Sequence, residues 1–413
     1  MSAEVRDISH AEAQSRGGWE ERRLKSILRP HKKLLGKCCN EYDLLSLTLR
    51  GIIKRDMDNP EGKFPASFET YQEVNPGDFV FCMFDNEETP RAVGLSGLRG
   101  MITGAYDVMS LIAEGVSREF LNYYFLWVDD GKRLKPLYKG LRKTVPLDSF
   151  LAYKISLPPL PEQKAIVAYL DAETGRIDKA IAAEEKMIAL LLERREIVIN
   201  EAVGGGDLSH AEAQRGRVRR GWEVRRLKSL LRPHKILVGK HCNEYDLLSL
   251  TLRGIVKRDM DNPEGKFPAS FETYQEVNPG EFVFCMFDNE ETPRAVGLSS
   301  LRGMITGAYD VMSLIDSGIS SKYLNYYFLW IDDGKRLKPL YKGLRKTVPL
   351  DSFMTYKIPL PPLPEQEAIV ERLDRETGKI DRAIEVKRRQ IELLRERRQI
   401  VIDEVVTGKV KVA

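Results

Sequence analysis

The sequence predicts a mixed α and β (α+β) protein built twice over. Two globular domains are separated by two long coiled-coil helices running antiparallel, and the halves form a pseudo-twofold internal repeat. Three observations carry this expectation. LPPLPEQKAIVAYLD from Leu157 returns as LPPLPEQEAIVERLD from Leu360, and from Trp19 onward each residue has its counterpart 203 positions later, beginning with Trp222. Short β-branched and aromatic runs, punctuated by turn residues, precede each copy. After each copy, apolar residues recur by threes and fours over about 40 residues, the period of a helix. A repeat this long describes two domains, since solenoid periods are far shorter. The boundaries fall at 1–157 for the first globular domain, 158–203 for a central helix, 204–360 for the second globular domain and 361–413 for a distal helix.

Taken in order, FVFCMF (Phe79 to Phe84), RAVGL and MITGAYDVM read as strands between the turn signals NPGD, DNEETP and GLRG. LNYYFLWVDDG, from Leu121 to Gly131, reads as an amphipathic helix packed on that sheet. Pro161 stands where a first-turn proline is tolerated, with Glu162 and Gln163 behind it at the positive end of the helix dipole. The expected seam runs through Val167, Leu170, Ile177, Ile181, Ile188, Leu191 and Val198, and in the second copy through Val370, Leu373, Ile380, Ile384, Ile391, Leu394 and Val401. A stripe that narrow suits one partner helix, and the two rods of one chain are each other's simplest partner. GGGD from Gly204 breaks the first rod and links the halves.

With 413 residues, 42% apolar and 31% charged, the chain has material for two real cores. No apolar run approaches the roughly 18–20 residues of a membrane span. The polar opening MSAEVRDISHAEAQ does not resemble a signal peptide, and five cysteines without a CxxC pair point to reduced thiols in the cytoplasm. His31 near Cys38 and Cys39 is too sparse for a metal site, and Cys38 becomes His241 in the second half. No metal is expected.

The net charge is only +4, but the positive charge is clumped. KRLKPLYKGLRK, from Lys132 to Lys143, has six basic residues and no acid, and it recurs unchanged from Lys335 to Lys346. RGRVRRGWEVRRLK, from Arg215, has seven basic residues against Glu223. One such run is commonly a solvated face, whereas the same run built twice favours a polyanion. Between Cys39 and Ile112 the halves differ only at Ile53/Val256, Asp78/Glu281 and Gly97/Ser300. Two like modules on a twofold scaffold must recognise one feature twice in opposite orientation, as inverted half-sites in double-stranded DNA require.

The motifs PGDFVFCMF, GLSGLRGMITGAYDVM, and LYKGLRKTVPLDSF leading into YKIPLPPLPEQ and a long helix resemble the specificity subunits of type I restriction-modification systems. The resemblance recurs in both halves and covers nearly the whole chain. It implies two target-recognition domains, each reading one half of a split site, with helices that space them and dock two copies of an adenine methyltransferase subunit. A motor and nuclease subunit completes such a complex. Family members generally carry dissimilar recognition domains; near-identical ones imply a split palindrome.

The candidate DNA-contacting residues are Arg50, Lys54 and Arg55 in TLRGIIKR, Arg99 and Tyr106 flanking GMITGAY, and Lys139, Arg142 and Lys143 in the basic run. Their counterparts are Arg253, Lys257, Arg258, Arg302, Tyr309, Lys342, Arg345 and Lys346. No catalytic residue is expected. DMDNPEGK, from Asp56, imitates a nuclease D…ExK arrangement, but Pro60 and Gly62 make it read as a turn. Neither an NPPY motif nor a phosphate loop is present. The resemblance therefore leaves S-adenosylmethionine, ATP and Mg²⁺ to the partners, with no cofactor in this chain. Two other classes stay open. A stand-alone DNA-binding regulator would explain the basic runs but not the long rods, and a Mg²⁺-dependent nuclease would cut DNA unaided.

Overall fold

The computed structural model describes residues 18–56, 67–204, 221–259, 268 and 270–412. The nuclease-like stretch lies outside them but for Asp56, as does its second copy but for Asp259; so do the opening segment, most of the GGGD linker and Arg215 to Arg220.

The first half contains strands β1 (Glu20–Arg23), β2 (Leu28–His31), β3 (Leu45–Thr48), β4 (Gly51–Lys54), β5 (Gln72–Val74), β6 (Asp78–Phe81), β7 (Val93–Leu95), β8 (Gly100–Ile102) and β9 (Asp107–Leu111). Helices α1 (Arg118–Asp130) and α2 (Leu147–Ala152), strand β10 (Lys154–Leu157) and helix α3 (Leu160–Val203) follow. An antiparallel sheet of order β2-β9-β6-β7 forms the centre, and β3-β4, β5-β8 and β1-β10 are two-stranded. The second half repeats this plan, with α4 (Ser321–Asp333), α5 (Leu350–Thr355) and α6 (Leu363–Val406).

Alternation along the central strands explains why both faces are apolar. Phe79 and Phe81 of β6 and Met109 of β9 join a core with Phe120, Phe125 and Phe150. The intervening Val80 and Val108 face a second core with Leu45, Val74 and Ile102. Edge-to-face rings seal the first core, with Phe125 centred 5.5 Å from Phe79 and 5.1 Å from Phe81. α1 begins where the Ser117 hydroxyl accepts from the Phe120 amide, with Glu119 in the first turn, and ends before Gly131.

Each long helix has 44 residues, about 66 Å at 1.5 Å per residue. The buried stripe of α3 starts earlier than expected and is partly polar: Gln163, Ile166, Leu170, Thr174 and Ile177 are buried. Gln163 does not act as a dipole residue. Its Oε1 accepts from the Ser117 amide at 2.8 Å, and its Nε2 donates to the Pro158 carbonyl at 2.8 Å and the Gly115 carbonyl at 3.2 Å.

The chain forms two compact units, one of residues 1–184 with 389–413 and one of residues 185–388. Each unit therefore holds one globular domain, the first part of the helix that follows it, and the last part of the other long helix. In the first, Ile402, Val405 and Val406 enter the core that holds Ile166 and Leu170, and Arg398 Nε lies 3.2 Å from Asp178. In the second, Val198, Ile199, Ala202 and Val203 share a core with Val370 and Leu373, and Arg195 Nε lies 3.2 Å from Asp381. In both, numbering falls along one helix as it rises along the other, the antiparallel pairing expected. No described helix is long and apolar enough to cross a membrane. Among the described residues, no group of three or more His, Cys, Asp or Glu side chains could hold a metal ion.

Candidate nucleic-acid interface

The sequence-chosen residues gather into two groups in each half. The first surrounds Glu73 in the middle of β5, a residue only 5% exposed. Lys33 Nζ reaches it at 2.6 Å, Arg99 at 3.1 Å and the Tyr42 hydroxyl at 3.0 Å. The lysine bond, joined by those from Arg99 and Tyr42, holds this carboxyl below its usual range, and the same carboxylate raises Arg99. Arg99 also lies 5.1 Å over the Tyr42 ring. Next along the chain, Asp43 receives Lys54 Nζ at 2.7 Å, and the Arg55 amide donates to the Leu44 carbonyl. Arg50 is exposed at the β3-β4 turn, where its amide bonds the Thr48 hydroxyl.

The second group is the loop from Lys139 to Thr144. Its ends are closed by reciprocal backbone bonds of 2.8 and 3.0 Å between those two residues. Arg142 is anchored three ways. Its guanidinium binds Asp85 in fork geometry at 3.2 and 2.6 Å, lies 4.8 Å over the Phe84 ring, and its carbonyl accepts from the Asp85 amide at 2.7 Å. The pair holds the Asp85 carboxyl low and the Arg142 guanidinium high. Phe84 in turn stands 6.0 Å from the half-buried Tyr106 ring, where burial pushes the phenol up. Lys139 is exposed, and Lys143 makes a long 3.7 Å approach to Glu87. Gln72, beside Glu73, donates to the carbonyls of Thr103 and Tyr106 and so ties the two groups together.

The second half repeats the plan. Arg302 meets Glu276 at 3.2 Å and lies over Tyr245, Lys257 meets Asp246 at 2.7 Å, and Arg345 binds Asp288 while stacking on Phe287. Arg253 is exposed at its hairpin turn, the Arg258 amide bonds the Leu247 carbonyl, Tyr309 packs on Phe287, Lys342 bridges Thr347, and Lys346 is 3.9 Å from Glu290. One difference concerns charge: Ile236 stands where the first half has Lys33, so Glu276 lacks the lysine that Glu73 has.

The basic run is less uniform than its composition. Lys132 is spent inside the unit on Asp129 and the Thr89 carbonyl, and Arg133 on Trp127 and Asp403. Sequence reasoning missed Tyr42, Glu73, Phe84 and Asp85, the residues that hold the chosen cations in place. The available signal was that these four recur unchanged in the second half.

The model of the type I restriction modification DNA specificity domain matches the chain twice, over residues 96–189 and 301–394. Each half of the chain carries the DNA specificity domain of type I restriction-modification specificity subunits. Such subunits are the non-catalytic DNA-recognition part of their systems. A protein of Methanocaldococcus jannaschii named as the type I restriction enzyme MjaX specificity subunit is 24% identical over 429 residues, covering 95% of this chain and 94% of that relative. A chain solved in work on complex assembly and conformational transition of the type I R-M system shares the fold, with a TM-score of 0.66 and 16% identity over 96% of this chain and 99% of that one. Each matched segment takes in Arg99 or Arg302, the anchored loop, and the first part of a long helix.

Proposed function

We propose that this chain reads a bipartite DNA site whose two halves are the same sequence inverted, and that it docks two adenine methyltransferase subunits and a motor and nuclease subunit. The observation that carries the palindrome is the loop from Lys139 to Thr144, repeated residue for residue from Lys342 to Thr347 with the same carboxylate and ring anchors. Two readers with one chemistry select one half-site twice. In this reading Arg50, Arg55, Lys139 and Lys143, with their counterparts, meet phosphates or base edges, while Arg99 and Arg142 are held rigid by Glu73 and Asp85. Catalysis, with S-adenosylmethionine, ATP and Mg²⁺, belongs to the partners, and the complex works in the cytoplasm. Docking falls on the outward faces of α3 and α6, which leave Met187, Leu190, Leu192, Leu393 and Ile400 exposed.

The test is co-expression with the host's type I methyltransferase subunit, followed by mapping of modified adenines across the genome. A split palindrome with a constant gap supports the reading. An asymmetric site would make Lys33/Ile236 and the few other differences the determinants of specificity, and would overturn the palindrome. Shortening α3 and α6 by matched turns should alter the gap and leave the half-sites unchanged; altered half-sites would mean that the helices do more than measure distance.

A further inference from the structure

The apex of the anchored loop is a leucine. Leu141 is 101% exposed and Leu344 99%, more than any other large apolar residue described. A lone exposed leucine ordinarily asks for no explanation. This one stands on a rigid support. The Lys139–Thr144 pairing closes the loop, Asp85 and Phe84 grip Arg142, and the Val145 amide bonds the Met83 carbonyl at 2.8 Å. Asp85 and Lys143 hold positive φ of 49° and 46°, and Gly140 has 68°. Non-glycine residues adopt that region at a cost, and such strain collects where a loop must keep one shape. The same positive φ values recur at Asp288, Lys346 and Gly343.

We propose that Leu141 and Leu344 are apolar wedges that enter a base-pair step of the bound duplex and unstack it. The proposal rests on the DNA-reading function given above and adds a distortion to it. Chemistry at the tip favours DNA over a protein partner. Leu141 is flanked by Gly140 and Arg142, with Lys139 and Lys143 beyond and no acid between them. A protein hot spot needs a surrounding apolar patch to exclude water, which those neighbours do not supply. A wedge needs one apolar side chain between cations that hold the phosphates on either side. An adenine modified by a partner must also leave the base stack, and a prised step lowers the cost of that movement.

The experiment uses the full chain and a duplex carrying the mapped site, with 2-aminopurine placed at successive steps to report unstacking. Binding is followed by anisotropy over a range of salt. For Leu141→Ala with Leu344→Ala, we expect affinity to fall about tenfold and the 2-aminopurine signal to vanish, with the salt slope unchanged, because no phosphate contact is lost. Leu141→Met with Leu344→Met should retain both. Wild-type affinity and fluorescence in the alanine pair would overturn the wedge while leaving DNA recognition standing. Loss of methyltransferase co-purification with DNA binding intact would assign the tip to a protein and overturn it as well. Failure of the unmodified chain to bind any duplex would take down the DNA-reading function together with the wedge.

Discussion

Arg142 shows how misleading a count of surface cations is. Its fork on Asp85 and its stacking on Phe84 make it the loop's fastener, roles that a lysine's point charge cannot reproduce. Arg142→Lys with Arg345→Lys should therefore weaken DNA binding nearly as much as Arg142→Ala with Arg345→Ala, although the formal charge is kept. Lysine variants that bind like the wild type in anisotropy titrations would return Arg142 to plain phosphate contact. Close approach sets a second residue-scale constraint. A Cβ on Gly100 would stand 2.5 Å from the Asp43 carbonyl oxygen and 2.7 Å from Leu45 Cγ. Gly100→Ala should cost about 1–3 kcal/mol in urea unfolding, the usual range for overpacking; an unchanged midpoint would show that the segment from Asp43 to Leu45 yields easily. Which residues carry charge was legible in the sequence. Their partners were not, because Asp85 and Arg142 are far apart in the chain and meet only through the fold. Asp78 and Glu281 make the same point in reverse: the longer carboxylate still accepts from the turn amide, the strand serine and the histidine that its counterpart meets.

At the scale of elements, the long helices were legible from period and capping, but their seam was only half legible. Apolar periodicity does not reveal that Gln163 and Thr174 are buried, because their burial is made acceptable by bonds to distant backbone and to the Tyr123 hydroxyl. Gln163→Ala should cost about 2–3 kcal/mol, since it strands the Ser117 amide and the Pro158 carbonyl; a loss below about 0.5 kcal/mol would mean that water replaces the amide. The far helix ends differ in charge. In the first unit Asp403 accepts from Trp127 and Arg133 and meets Lys409 at 2.9 Å, whereas in the second Asn200 accepts from Trp330. Burial raises the Asp403 carboxyl, but bonds from Lys409 and Trp127 and the nearby cations outweigh it and leave it lowered. A carboxyl lowered by folding contributes stability above its unfolded value of about 3.9 and loses it as pH falls through the folded value. Asp403→Asn should thus destabilise the protein by about 1 kcal/mol near pH 7 and progressively less below about pH 4. Urea midpoints for both proteins at pH 3 and pH 7 decide this, and a difference independent of pH would remove the charge from the account.

At the scale of the molecule, duplication has a structural consequence that sequence comparison alone did not expose: each globular domain is completed by the end of the helix belonging to the other half. Ile402, Val405 and Val406 fill the core of the first unit, and their repeat counterparts Ile199, Ala202 and Val203 fill that of the second. Arg398 with Asp178 and Arg195 with Asp381 repeat the same ion pair. A fragment of residues 1–203 would lack the helix end that its own domain needs, while carrying an apolar end of nearly the right shape. Two such fragments could supply it to each other, Ile199, Ala202 and Val203 of one entering the place of Ile402, Val405 and Val406 in the other. The exchange replaces isoleucine by isoleucine, valine by alanine and valine by valine, and puts a neutral Asn200 where Asp403 meets Trp127 and Arg133. The lost methyl groups cost about 1–2 kcal/mol per site, a modest charge against a core that would otherwise lie open. The fragment should therefore be a symmetric homodimer by sedimentation equilibrium, weaker than the intact chain's internal pairing and strengthened by Ala202→Val. A folded and strictly monomeric fragment would mean that the domain closes its core without a second helix end, and the exchange of helix ends would then be a consequence of duplication with no part in stability.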